Sequence, residues 1–231
     1  MQATRNDGMG GKGVQFVPKS GQYSNLLIFL HGLGDTADGW ASMMPSLKLE
    51  DTKIVLPTAK SRPITFNDGY PMPGWSDIFG LSIEDREDRE GFDESAARIN
   101  AIVQKEIDGG IDPRRIVLAG FSQGGAVVLH TALRSPHTLG GCVALSTWLP
   151  LRSDFPEALS GSAKELKILQ VHGDEDNVVA YSWGKTSHDL LLRLGLQHEP
   201  QFLTIQQGMG HSSDPEEMEA VKAFLAAQFA K

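Results

Sequence analysis

The segment Gly120-Phe-Ser122-Gln-Gly124 has the spacing that holds a serine nucleophile on a sharp turn between a strand and a helix. The residues before it, 115–119, are aliphatic as in a strand, and residues 124–133 are small and apolar as in a buried helix. Glycines two positions on either side accommodate the strained turn that lifts the hydroxyl above a sheet. The alternative is a serine that only caps a glycine-rich helix. The flanking strand and helix favour the nucleophile.

A serine is a weak nucleophile at neutral pH, so it needs a base and an orienting acid. Both are expected to follow it in the chain, on loops after later strands. His211 lies in such a loop, after an apolar segment at 201–205 and between glycines that permit a close approach, and it is the predicted base. His188 falls inside a helical pattern, and His198 precedes a strand among polar residues. Neither position suits a base.

Two aspartates compete for the part of the acid, because Asp174 and Asp176 both follow the strand predicted at 167–171. Asp176 reaches further over the sheet, and the apolar residues Val178 and Val179 follow it. Asp174, only two residues past the strand, suits a turn cap better. The residues alone favour Asp176 and leave Asp174 as the alternative.

An oxyanion that forms during attack by serine needs two backbone N–H donors. Gln123, directly after the serine, supplies one, and Leu33 in the loop His31-Gly-Leu-Gly-Asp35 supplies the other. The same loop contains Gly32-x-Gly34-x-x-Ala37, which suggests a dinucleotide site. That reading requires an acid at the end of the next strand, and residues 53–56 lead into Pro57 without one. A nicotinamide cofactor is therefore not expected.

The elements that position these residues alternate between short apolar runs and longer helical patterns. Buried strands are predicted at 26–30, 53–56, 115–119, 142–145, 167–171 and 201–205. Helices are predicted at 93–107, 124–133, 186–194 and 215–229. Strands separated by helices predict a doubly wound, mostly parallel α/β sheet with helices on both faces. No linker divides residues 14–231, which are expected to form a single domain, whereas residues 1–13 are polar and glycine-rich and predict a flexible tail.

Length, charge and cysteine content exclude several classes of protein. The chain has 231 residues, of which 21 are basic and 29 acidic, giving a net charge of −8. Such a charge argues against binding to nucleic acid or to an anionic membrane surface. A lone cysteine, Cys142, excludes internal disulfides and cysteine-rich metal sites, so no metal is expected. The longest apolar run, 26–30, is too short to span a membrane, and without a signal peptide a cytoplasmic location is expected.

Two segments have unusual compositions. Residues 57–82 contain four prolines and four aromatic residues, which disfavours regular structure and predicts a long functional loop. Residues 84–90 are charged throughout and predict a solvated surface stretch.

Over roughly residues 24–229 the chain resembles the acyl-protein thioesterases, within the lysophospholipase/carboxylesterase group of α/β-hydrolases. The motifs that carry the resemblance are Leu30-His-Gly-Leu-Gly-Asp35, Gly120-Phe-Ser-Gln-Gly-Gly-Ala126, Leu145-Ser-Thr-Trp-Leu-Pro150, His172-Gly-Asp-Glu-Asp176 and Gly208-Met-Gly-His-Ser212. Some relatives carry a lipidatable cysteine near the N-terminus, whereas this chain has no cysteine before Cys142.

The resemblance implies an α/β-hydrolase fold and a triad of Ser122, Asp176 and His211, with Leu33 and Gln123 as oxyanion donors. It also implies substrates that are S-acylated proteins or lipid esters, and it implies no cofactor. An acyl-chain channel is expected, and its predicted lining residues are Trp75, Ile78, Phe79, Leu81, Trp148, Val178 and Val179.

Overall fold

An eight-stranded sheet runs through the computed structural model, which describes residues 1–206 and 208–230. From one edge to the other its strands are β1 (Gln2–Thr4), β2 (Gly13–Val17), β4 (Thr52–Pro57), β3 (Asn25–Leu30), β7 (Ile116–Phe121), β8 (Gly141–Leu145), β9 (Ile168–Gly173) and β10 (Gln201–Ile205). The six strands from β4 to β10 are parallel, and only β1 and β2 run antiparallel to their neighbours. The predicted mostly parallel α/β sheet is confirmed.

Helices cover both faces of this sheet. They are α1 (Ala37–Ala41), α2 (Arg89–Asp108), α3 (Gln123–Leu133), α4 (Tyr181–Arg193) and α5 (Pro215–Phe229). Because neighbouring side chains of a strand point to opposite faces, β3 contributes to two separate cores. Leu26, Ile28 and Leu30 pack in the core that contains residues of α2, α3 and α4. Leu27 and Phe29 pack in the core that contains residues of α1 and α5.

The N-terminal residues do not form the flexible tail that the sequence predicts. Strand β1 pairs with β2, which in turn pairs with β4, so this segment extends the sheet. Asp7 is buried, accepts hydrogen bonds from the amides of Met9 and Gly11, and forms an ion pair with Arg98 at 2.6 Å. The composition of the segment did not reveal these partners, since Arg98 lies far along the chain. We propose that the domain predicted for 14–231 begins instead at β1.

The two unusual segments also differ from expectation. Part of the predicted loop at 57–82 forms a two-stranded antiparallel sheet of β5 (Ser61–Ile64) and β6 (Tyr70–Pro73). Prolines are tolerated there because both strands are edges, and an edge strand does not need every N–H in a ladder. The charge run at 84–90 is not fully solvated, since Asp88 caps α2, which begins at Arg89, and the carboxylate of Glu87 bonds to a neighbouring loop.

A buried acid in the first turn of α5 predicts a pH-dependent stability. Glu217 is 0 % exposed, and among residues 1–206 and 208–230 neither carboxylate oxygen has a hydrogen-bond partner within 3.5 Å, although the nearby backbone of Asp214 offsets part of the effect of burial on its pKa. Burial raises the pKa of Glu217 from 4.5 to about 8. Because the folded pKa exceeds the unfolded one, the contribution of Glu217 to the free energy of unfolding is largest below pH 4.5 and falls as the pH rises to about 8.

Replacing Glu217 with glutamine is expected to remove this dependence. Urea unfolding at pH 5 is expected to give similar stabilities for Glu217→Gln and wild type. At pH 9 the variant is expected to be more stable by several kcal/mol, at about 1.36 kcal/mol per pKa unit. The exposed neighbour Glu216 offers a matched control, Glu216→Gln, which should follow the wild type. An equal difference between Glu217→Gln and wild type at both pH values would contradict the prediction.

Candidate active site

Ser122 lies on the turn between β7 and α3 with φ 53° and ψ −124°, a strained conformation for a residue other than glycine. The flanking glycines permit this turn. A Cβ added at Gly124 would lie 2.3 Å from the carbonyl oxygen of Leu30, and one at Gly120 would lie 2.5 Å from the backbone of Gly124. The segment therefore folds as the motif predicts, with a serine that is 8 % exposed at the mouth of a cavity.

His211 and Asp176 reach Ser122 from loops after β10 and β9. The His211 Nε2 atom lies 2.9 Å from the Ser122 Oγ atom, and its Nδ1 atom lies 2.8 Å from the Asp176 Oδ2 atom. With the Nδ1 proton donated to Asp176, Nε2 is free to accept a proton from the serine hydroxyl. The ring of Phe121 packs on that of His211, with centroids 4.8 Å apart. The arrangement thus has the geometry of nucleophile, base and orienting acid.

The environment of Asp176 keeps its carboxylate charged. Burial alone would raise its pKa, but hydrogen bonds from His172 and His211 outweigh burial and lower the pKa below its ordinary value. The amides of Val178 and Val179 donate to its Oδ1 atom at 2.9 and 3.0 Å. An ionised acid with no solvent access can hold one tautomer of the histidine ring.

Other candidate residues lie elsewhere. The alternative acid, Asp174, is exposed and accepts a hydrogen bond from the amide of Gly208 at 3.2 Å. His188 is buried on α4 with its Nδ1 atom 3.1 Å from Gln170 Oε1, and His198 is exposed. The structure thus brings Asp176 and His211, and neither Asp174, His188 nor His198, to the serine.

The two predicted oxyanion donors, Leu33 and Gln123, both line the cavity beside Ser122. Gln123 is the first residue of α3, where a backbone N–H has no acceptor within the helix. The loop before Leu33 is held by His31, whose Nδ1 atom lies 2.7 Å from the carbonyl of Gly32 and whose Nε2 atom accepts from the amide of Ala59 at 3.0 Å. Burial lowers the pKa of His31, which favours the neutral ring that this pattern requires.

The Gln123 side chain also holds the segment that contains Trp75 and Ser76 by hydrogen bonds. Its Oε1 atom accepts from the amide of Trp75 at 2.8 Å, and its Nε2 atom donates to the carbonyl of Ser76 at 2.9 Å. The indole of Trp75 donates in turn to the carbonyl of His31 at 2.8 Å. Gln123, the first residue of α3, and the loop that carries Leu33 are therefore both hydrogen-bonded to the same buried tryptophan.

A cavity of about 940 Å³ opens at Ser122 and His211, a volume at the upper end of the usual range for small-molecule sites. Six of the seven predicted lining residues lie on its wall: Ile78, Phe79, Leu81, Trp148, Val178 and Val179. Trp75 is the exception, since it is 1 % exposed and packs in the core. A large apolar side chain suits either the cavity wall or the core, and the contacts of Trp75 with His31 and Gln123 place it in the core.

The sequence did not single out several other residues of the cavity wall. The apolar ones include Trp40, Met43, Ile64, Phe66, Met72 and Trp183. Phe66 and Met72 lie in the proline-rich segment whose apolar composition was the available signal. Trp183 lies in the first turn of α4, which begins five residues before the predicted start at 186. Glu87, in the charged segment 84–90, also lines the cavity, and nothing in the sequence distinguishes it from its charged neighbours.

A serine, histidine and aspartate joined in this order at the carboxyl ends of parallel strands define a serine hydrolase of the α/β-hydrolase class. The model of the phospholipase/carboxylesterase family matches residues 13–229, and the chain belongs to that family.

Named relatives and solved structures agree with this assignment. The chain is 41% identical to acyl-protein thioesterase 1 of Gibberella zeae, over 91% of this chain and 93% of that protein. It is 40% identical to acyl-protein thioesterase 1 of Mycosarcoma maydis, over 90% and 93%. The crystal structure of Zea mays acyl-protein thioesterase 2 superposes with a TM-score of 0.84 at 31% identity, covering 95% of this chain and 99% of that one. Arabidopsis thaliana SOBER1 gives 0.82 at 28%, covering 88% and 98%.

Within residues 1–206 and 208–230, no group of three or more histidine, cysteine, aspartate or glutamate side chains is arranged to hold a metal ion. In that part of the chain no helix combines the length and apolar character needed to cross a membrane.

Proposed function

We propose that this protein hydrolyses the thioester that joins a long fatty acyl group to a protein cysteine. The observation that carries the proposal is the hydrogen-bonded series Asp176, His211 and Ser122 at the mouth of a large, mostly apolar-walled cavity. The names of the relatives, acyl-protein thioesterases at about 40% identity, support the same substrate class. A cytoplasmic location fits a chain whose only cysteine, Cys142, is buried and unpaired.

In the proposed reaction, Ser122 Oγ attacks the thioester carbonyl carbon while His211 Nε2 takes the hydroxyl proton. The negative charge moves to the carbonyl oxygen, where the N–H groups of Leu33 and Gln123 stabilise it by about 3–4 kcal/mol each. The carbon–sulfur bond then breaks, and His211 returns its proton to the departing thiolate. An acyl group remains on Ser122.

A water molecule completes the cycle. His211 Nε2 takes a proton from the water, whose oxygen attacks the acyl carbon of the ester on Ser122. The second tetrahedral intermediate collapses, the bond to Ser122 Oγ breaks, and the serine recovers its proton from His211. The products are a free fatty acid and a cysteine thiol. Asp176 remains ionised throughout and orients the histidine ring.

The cavity supplies affinity for the acyl chain. At about 0.8 kcal/mol per buried CH₂, half of a sixteen-carbon chain contributes about 6 kcal/mol. Ile78, Phe79 and Trp148 offer half-buried apolar surface, and Leu81 and Val178 are 51% and 50% exposed at its rim. Exposed apolar side chains at the mouth suit a substrate that presents a lipid chain.

A second candidate is hydrolysis of oxygen esters, as in a carboxylesterase or lysophospholipase, by the same three residues. The family description, phospholipase/carboxylesterase, supports this alternative. Turnover of a palmitoylated-cysteine peptide and of a lysophospholipid with the same acyl chain separates the two. A higher kcat/KM for the peptide, lost in Ser122→Ala, is expected. A higher kcat/KM for the lysophospholipid would replace the thioesterase proposal with the lipid esterase.

A further inference from the structure

Glu87 connects two loops that both line the cavity. Its Oε1 atom accepts from the indole Nε1–H of Trp148 at 2.9 Å, and its Oε2 atom accepts from the backbone N–H of Leu151 at 2.6 Å. The backbone of Glu87 pairs with that of Ile78 in an isolated antiparallel bridge. One half-buried carboxylate thus spans from the segment 78–87 to the segment 148–151.

Both segments contribute apolar surface to the cavity. The first wall consists of Ile78, Phe79, Leu81 and Ile83, and the second wall consists of Trp148, Leu149 and Leu151. Two ion pairs lie next to this link and involve residues just beyond the ends of the segments, with Arg89 to Asp154 at 2.6 Å and Arg152 to Glu84 at 2.7 Å. The exposed pair of Arg152 and Glu84 contributes little. The pair of Arg89 and Asp154 is bidentate, and Asp154 also accepts from Arg134 at 3.1 Å, but neither Arg89 nor Asp154 lines the cavity. Among residues that line the cavity, the half-buried link through Glu87 is stronger than the exposed pair of Arg152 and Glu84, because solvent screens the exposed pair.

The link requires a carboxylate. The side chain of Glu87 faces two N–H donors, and only an acid supplies two oxygen acceptors. A glutamine of the same shape has one oxygen and one NH₂ group. Whichever way it turns, its NH₂ group faces the N–H of Trp148 or of Leu151, so one link is lost and a donor is left without an acceptor.

We propose that Glu87 determines acyl-chain specificity by fixing the separation of the first and second walls. This inference rests on the proposed function, since it takes the cavity as the site of an acyl chain. When the two walls lie at the right separation, each methylene of a long acyl chain makes van der Waals contacts with them. If the walls move apart, those contacts and their binding energy are lost. Glu87 touches neither Ser122 nor His211 by a hydrogen bond or ion pair, and it acts through the second wall.

The test uses Glu87→Gln and a series of S-acyl cysteine peptides with four to sixteen carbons. The ratio of kcat/KM for the sixteen-carbon to the four-carbon substrate is expected to fall about tenfold, mainly through a higher KM for the long chain. Glu90→Gln is the matched control, because Glu90 is an exposed residue in the first turn of α2 and does not line the cavity. It is expected to keep the wild-type ratio. An unchanged ratio in folded Glu87→Gln would overturn the inference.

A double-mutant cycle with Trp148→Phe tests the contact itself. In the Trp148→Phe background the opposing indole N–H is absent, so the glutamine oxygen can accept from Leu151 without conflict. Glu87→Gln is therefore expected to change the ratio by less than twofold there, against about tenfold in the wild type. Equal effects in both backgrounds would refute the link through Trp148.

Failure of the proposed function gives a different result. If the wild type turns over lysophospholipids and not S-acyl peptides, the thioesterase proposal fails, and the same ratio measured on the lysophospholipid series tests Glu87. A shift in that series would support the role of Glu87, and an unchanged ratio would overturn it.

Discussion

Replacing Ser122 with alanine is expected to lower kcat by about 10⁶-fold for thioester and oxygen-ester substrates alike. The variant keeps the cavity but has no hydroxyl for His211 to activate, so the acyl-serine intermediate cannot form. Removal of a catalytic serine in a triad typically costs this much, and the residual rate comes from binding and from the oxyanion donors. KM is expected to change little, because the cavity wall that binds the acyl chain is intact.

Two measurements check this result. Steady-state turnover gives the loss in kcat, and a fluorophosphonate probe reports the nucleophile directly, because the serine oxygen displaces fluoride and keeps the phosphonyl group. Labelling is expected in the wild type and in Ser182→Ala, a control on the exposed face of α4, and absent in Ser122→Ala. Turnover or labelling that survives in folded Ser122→Ala would mean that another residue is the nucleophile.

Replacing Asp176 with asparagine is expected to lower kcat by about 10⁴-fold. The asparagine side chain keeps the shape but removes the charge, and its amide N–H₂ group can turn toward His211 Nδ1. The ring then holds its proton on Nε2, where it faces Ser122 Oγ and cannot act as a base. The hydrogen bonds that the backbone amides of Val178 and Val179 donate also lose a charged acceptor, so a modest loss of stability is expected.

Asp174→Asn is the matched control, because Asp174 is the acid that the sequence left as an alternative. Its side chain is exposed, and within residues 1–206 and 208–230 it accepts a single hydrogen bond, from the amide of Gly208. Its kcat is expected to stay within about threefold of the wild type. Measurement of kcat for both variants, with a thermal melt to confirm folding, decides the assignment. A larger loss in Asp174→Asn than in Asp176→Asn would reverse the roles of the two acids.

The sequence by itself determined the parallel part of the sheet and the places where the candidate site residues stand. The six predicted strands are the six parallel ones, because strands inside a parallel sheet are buried on both faces and need continuous apolar runs. The edge strand β10 is largely half-buried but is also rich in apolar residues. Ser122 and His211 lie in turns flanked by glycines, and the spacing of those glycines indicates the backbone conformation of each turn. Such features are local: each depends on residues within about five positions of one another. Strands β1 and β2 escaped prediction because neither has a continuous apolar run: β1 is an exposed edge strand, and Gln15 interrupts the apolar residues of β2.

The tertiary structure decided everything that depends on a partner far along the chain. It turned Asp176, and not Asp174, toward His211 across 35 positions. It buried Trp75 between His31 and Gln123, although a large apolar side chain would equally suit a cavity wall. It also gave Glu87, one acid in a charged run, two N–H donors 61 and 64 positions away. The physical reason is common to all three: burial and hydrogen bonding depend on which distant groups the fold brings within about 3 Å.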